Sequence, residues 1–97
     1  MKYLPLFEKD IEKVRDYIAN TLQNPVAAQQ LINETENAII KRLSNPASFA
    51  KYVSVKDRKQ PYYTIRVKNY IVFYVVIGDV MEVRRFIYSG RDLSKLI

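Results

Sequence analysis

Histidine and cysteine are both absent from this chain, which leaves few residues able to do chemistry. A two-histidine ribonuclease, a Ser-His-Asp hydrolase and a Cys/His zinc site are thereby excluded. Any acid–base or phosphate chemistry has to come from tyrosine, lysine, arginine or a carboxylate. The candidates gather in the second half. Arg66 sits in the middle of an apolar run, where it either contacts phosphate or pairs with Glu82 across a sheet; ladder pairing is the commoner use of a single strand arginine. Tyr88 lies between Arg84-Arg85 and Arg91, and cations this close can draw a phenol down from a pKa of about 10 towards use as an acid or base. The plainer role for a tyrosine that ends a strand is packing. Arg91 either binds phosphate or a target, or pairs with Asp92. Lys51, Lys56, Arg58 and Lys59 form a basic stretch able to follow a nucleic-acid backbone, because phosphate contacts need only charge and reach; the alternative is a solvated loop. Arg84 and Arg85 add to this target-binding set. Tyr62, Tyr63, Tyr70 and Tyr74 offer rings for base stacking, although alternating strand positions favour packing.

The charge is unevenly placed. Residues 1–50 carry six Lys/Arg against six Asp/Glu and residues 51–97 carry ten against four, so the net +6 belongs to the second half. A basic half-surface predicts an acidic partner, whether nucleic acid, ribosome or protein; a solvated face that aids solubility is the bland alternative. The 97 residues fit one domain with a single modest core. The lack of cysteine fits a reducing cytosol. No apolar run approaches the ~20 residues of a membrane span, and the N-terminus lacks a signal-peptide core. The expectation is a soluble, cytoplasmic protein without cofactor or metal.

The elements that position these residues read from periodicity. Tyr62–Val67, Tyr70–Ile77 and Val80–Tyr88 are three apolar, β-branched and aromatic runs broken by Lys68-Asn69 and Gly78-Asp79. Asn or Gly in a two-residue break can take the positive φ of a tight hairpin, so the stretch predicts an antiparallel meander. The middle run is apolar on both faces and is therefore central. Glu82 and Arg84 interrupt one face of the third run, and that face is expected to be left for function. Upstream, Phe7, Ile11, Val14, Ile18 and Leu22 form one stripe of a helix over roughly 6–22. Asn24-Pro25 is a cap and a restart, and a second helix follows to about Leu43 with Ala28, Leu31, Ile32, Thr35, Ala38, Ile39 and Leu43 on its buried side. MKYLPL is the end of a short strand, Tyr52–Val55 a short edge strand, and residues 56–60 a basic loop. Leu93, Leu96 and Ile97 are placed to dock back on the sheet. The predicted fold is α+β, an N-terminal helical hairpin packed on a 3–4-stranded antiparallel sheet.

The order of these elements resembles the RelE/ParE superfamily of bacterial toxins. Ala27-Ala28 after the Asn-Pro restart, Asn45-Pro46 after the second helix, and the strand Asn69-Tyr70-Ile71-Val72-Phe73-Tyr74-Val75 are similar to the family's pattern. So is the ending Val83-Arg84-Arg85-Phe86-Ile87-Tyr88-Ser89-Gly90-Arg91-Asp92-Leu93, with Tyr88 where ParE-like sequences often carry histidine. The resemblance covers nearly the whole chain, although the family's first strand is usually longer than MKYLPL, which leaves either a short strand or a start downstream of the natural one. It implies the toxin of a type II toxin–antitoxin (plasmid stabilisation) pair, held in a hetero-oligomer by a cognate acidic antitoxin that wraps the sheet and helices. Two branches of the family act differently. RelE-type members are metal-independent endoribonucleases that cleave mRNA on the ribosome, for which Arg66, Tyr88 and Arg91 would be the catalytic set here. ParE-type members poison DNA gyrase and lack those groups. Ile71 stands where the nucleases carry an arginine, and isoleucine cannot neutralise a phosphorane oxygen. The ParE-like branch is therefore expected, with a nuclease or a non-toxic binding module of the same fold as alternatives.

Overall fold

A computed structural model of the chain describes residues 1–52, 60–95 and 97. β1 (Lys2–Tyr3) leads into α1 (Pro5–Asp16), a π-helical turn (Tyr17–Thr21) and α2 (Pro25–Leu43). The meander follows as β2 (Tyr63–Val67), β3 (Tyr70–Ile77) and β4 (Val80–Tyr88), and a single 3₁₀ turn (Leu93–Lys95) precedes the C-terminus. The sheet order is β1-β4-β3-β2. The meander pairs are antiparallel as expected, but β1 lies parallel to β4, with Lys2 beside Glu82 and Tyr3 beside Val83. The sheet is thus mixed, because the helical hairpin carries the chain back before β2 begins.

Local chemistry explains the helix ends. Pro5 opens α1 rather than merely ending β1, its missing N–H costing nothing at the first helical position. The expected single helix over 6–22 widens after Asp16: the Leu22 N–H donates to the Tyr17 carbonyl five residues back, and Gln23 turns out at φ 50°. Asn24 caps α2 as predicted, its Oδ1 accepting from the Ala27 N–H at 3.1 Å. The hairpin turns also follow prediction in place, but Lys68 rather than Asn69 takes the left-handed conformation (φ 52°), alongside Gly78 (φ 59°).

The helices cover one face of the sheet. Phe7, Leu31 and Ile39 meet Ile65, Val72, Tyr74, Met81, Val83 and Phe86 there. The expectation that the opposite face stays open is overturned: Tyr62, Ile71, Phe73, Val75, Ile87 and the C-terminal Ile97 form a second buried cluster, flanked by Tyr52 and Leu93. Hence β3 is covered on both sides, and Val72, Phe73, Tyr74 and Val75 are fully buried. Of the tail residues expected to dock, Leu93 and Ile97 do so; Leu96 lies outside the described residues, as does most of the edge strand expected over 52–55.

One irregularity decides where the β4 side chains point. Phe73 pairs with Arg85 but Tyr74 pairs with Val83, so Arg84 is an extra residue in a bulge. Strict alternation from Met81 and Val83 would have turned Arg85 and Ile87 towards the helices. Instead Phe86 joins the helix-side core and Ile87 the opposite one.

Candidate functional site

A cavity of about 680 Å³ lies between α1 and the end of β4, just beyond the bulge. Asp10, Lys13, Val14 and Tyr17 line it from α1 and the π turn; Tyr70, Arg85, Phe86, Tyr88 and Arg91 line it from the sheet and the tail. Its inner end is fixed by a bidentate ion pair. Arg85 Nε donates to Asp10 Oδ2 at 2.7 Å and Nη2 to Oδ1 at 3.1 Å, while the Phe86 N–H adds a third bond to Oδ2 at 3.0 Å. This carboxylate therefore satisfies a backbone donor of β4 beyond the reach of the short β1. The bond from Asp10 raises the Arg85 pKa against the cost of burial.

Aromatic rings form the floor and rim. Tyr70 stacks on Phe86 with centroids 5.0 Å apart and meets Tyr88 edge-on at 5.8 Å. Burial, with Tyr17 and Tyr88 adding to it, pushes the Tyr70 hydroxyl above its ordinary pKa, so that it stays a neutral donor at physiological pH. Tyr17 and Tyr88 keep about half of their surface open, at 52% and 49%. Beyond Tyr88 the chain turns at once, the Arg91 N–H donating to the Tyr88 carbonyl at 3.1 Å. Gly90 makes room in that turn, since a Cβ there would overlap the Tyr88 ring.

The candidates read from sequence are dispersed. Arg85, Tyr88 and Arg91 line this cavity. Arg84 lies apart from them, its Nε donating to Glu82 Oε1 at 2.8 Å. Burial works against the Arg84 charge, and the bonds to Glu82 and the Tyr62 side chain outweigh it, raising its pKa. Arg66 pairs in register with Ile71 and shares its face, opposite the cavity; it is exposed and does not reach Glu82, which is opposite Val75 on β4. Lys51 is exposed and bridges to Tyr63 at the outer edge of β2. Lys56, Arg58 and Lys59 lie outside the described residues. Tyr62, Tyr63 and Tyr74 are buried packing, leaving Tyr70 as the stacking candidate that reaches a cavity. Sequence reading missed Lys13, Tyr17 and the Asp10–Arg85 pair. Lys13 and Tyr17 are one helical turn apart, a spacing that gives a common face but does not say what the face looks at.

Two further features frame the site. A second groove of about 500 Å³ runs between the helices, with Phe7, Ile11, Ile32 and Ile40 among its lining; Ile40 and Met1 stay exposed there. At the far end of α2, Arg42 Nη1 donates to the Thr64 carbonyl and to the Tyr74 hydroxyl, and that hydroxyl donates to the Pro46 carbonyl at 2.7 Å. Phe49 lies over the same guanidinium, 3.6 Å from ring centroid to Cζ. This network ties the connection after α2 to the sheet. Among the described residues no helix is long and apolar enough to cross a membrane, and no group of acidic residues could hold a metal.

No curated protein matches the sequence. A family model described as the ParE toxin of the type II toxin–antitoxin system, parDE, matches residues 1–93. With the helical hairpin, the four-stranded sheet and this match together, the chain belongs to the ParE toxin family and is the toxin member of a type II toxin–antitoxin pair.

Proposed function

We propose that the protein inhibits DNA gyrase in the ParE manner and is neutralised by a cognate acidic antitoxin. The observation that carries this reading is the burial of Ile71. At the position where the resemblance to RelE nucleases implies an arginine, Ile71 is only 7% exposed and packs in the cluster closed by Ile97. An apolar, buried side chain at that position offers a scissile phosphate no charge or hydrogen bond, which supports the ParE-like reading over the nuclease. Arg66 stands on that same face while Tyr88 and Arg91 flank the cavity on the other, so the three do not converge on one phosphate. General acid–base work needs its groups within hydrogen-bond reach of one reacting atom. The groove between α1 and α2, where Met1 and Ile40 stay exposed among Glu8, Arg15 and Glu36, supports a protein partner on the helical side.

Growth on induction tests the toxin reading. Expression of the chain alone should arrest growth, and co-expression of the cognate antitoxin should restore it; harmless accumulation of folded protein would instead leave a binding module. Primer extension on mRNA from a translating extract separates the two targets. Intact mRNA in the presence of folded, toxic protein is the expected result, whereas ribosome-dependent new ends within codons would overturn the gyrase reading.

A further inference from the structure

We infer that the cavity between α1 and the end of β4 is a nucleotide site, with a phosphate held between Lys13 and Arg91 and a base against the tyrosine rings. Such a site does not depend on gyrase being the target. Its charge is the first reason. Arg85 is neutralised by Asp10, but Lys13 on one wall and Arg91 on the other have no ion pair among the described residues. The acidic neighbour Asp92 is turned elsewhere: its Oδ1 accepts from the Ser94 N–H at 3.1 Å and from the Ser94 hydroxyl at 2.6 Å. Two unpaired cations facing one open space repel, and an anion seated between them reverses the sign of that interaction.

The rings are the second reason. Tyr17 and Tyr88 present about half of their surface to the same space, with Tyr70 nearby as a neutral donor. Gly90 bears on the position of one ring. Its backbone has no left-handed φ that would call for glycine, so the missing side chain serves to let the Tyr88 ring lie against the turn. Each wall thus carries one cation and one ring. Phosphate alone uses only the cations and an apolar ligand only the rings; a nucleotide uses both.

The test is titration of the purified full-length chain, followed by tyrosine fluorescence, with four probes: AMP, adenosine, inorganic phosphate and a short oligoadenylate. AMP should saturate with a Kd on the order of 100 µM, with adenosine and phosphate each weaker by about tenfold or more. Lys13→Gln and Arg91→Gln should each weaken AMP about tenfold, while Lys41→Gln, at an exposed position of α2 outside the cavity, should change nothing. Gly90→Ala should weaken AMP but not phosphate; Tyr17→Leu, at an exposed position, checks the same point by another route. Tighter binding of oligoadenylate than of AMP would assign the site to a nucleotide within a strand, and the reverse order to a free nucleotide. The inference is overturned if folded protein shows no saturation by AMP or oligoadenylate in the millimolar range, if phosphate binds as well as AMP, or if both Gln variants bind like the parent.

Discussion

Tyr70 and Ile71 are neighbours in β3 and point to opposite faces of one sheet. Beside Tyr70 the surface opens into a cavity whose Lys13 and Arg91 have no ion pair among the described residues. Around Ile71 it is closed by Tyr62, Ile87 and the last residue of the chain. Basic residues occur on both faces, yet they are spent differently. On the closed face Arg84 is engaged by Glu82 and Tyr62, so its charge supports packing. In the cavity Arg85 is spent on Asp10 and fixes α1 against β4, while Lys13 and Arg91 have no ion pair among the described residues. The difference teaches that net charge does not locate a site. Charge without an ion pair among the described residues, next to uncovered surface, is the better marker of a candidate site.

This contrast can be broken deliberately. The largest effect should come from Ile71→Arg, which forces a charge into the sealed cluster and should cost about 3 kcal/mol or more in urea unfolding; an unchanged midpoint would mean that the face is not sealed. Ile97→Ala removes the plug and should cost about 2 kcal/mol, read by the same experiment. Asp10→Ala leaves Arg85 and the Phe86 N–H without their partner and should also cost roughly 2 kcal/mol, while changing the tyrosine fluorescence of the cavity. Arg91→Ala should stay within about 0.5 kcal/mol of the parent, since its side chain is exposed and has no ion pair among the described residues.

Alkaline pH sharpens the contrast between protein and free chain. Burial holds the Tyr70 and Tyr74 hydroxyls above the ordinary value of 10.0. A folded-state phenol with a raised pKa keeps its proton while the unfolded chain releases one. The stability it contributes is complete below pH 10.0 and is lost as pH rises through the folded values. Unfolding midpoints should therefore fall above that pH, and Tyr70→Phe should reduce the fall.

The helices, the meander and the cap at Asn24 were legible because each rests on short-range chemistry: stripe periodicity, two-residue turns and a side chain reaching three residues ahead. The parallel placement of β1 was not, since two residues carry no periodicity. The bulge at Arg84 was the costliest omission. Alternation puts Arg84 and Phe86 on one face, and only pairing with β3 reveals the extra residue that separates them. The expectation of an open Glu82–Arg84 face failed for a different reason, since Tyr62 and Ile97 close that face through tertiary contacts. Tyr88 and Arg91 were candidates through residue type and resemblance, whereas Lys13 and Tyr17 were invisible as their neighbours across the cavity, because nothing local in α1 reports what a distant strand end brings opposite it. Ile71 was noticed for its missing charge; its burial depends on Ile97, and that contact is tertiary.

Gyrase supercoiling of relaxed plasmid, with and without the purified toxin, tests the central claim most directly. Loss of supercoiling that is restored by the antitoxin is the predicted result. Full supercoiling at saturating, folded toxin that still arrests growth would contradict it.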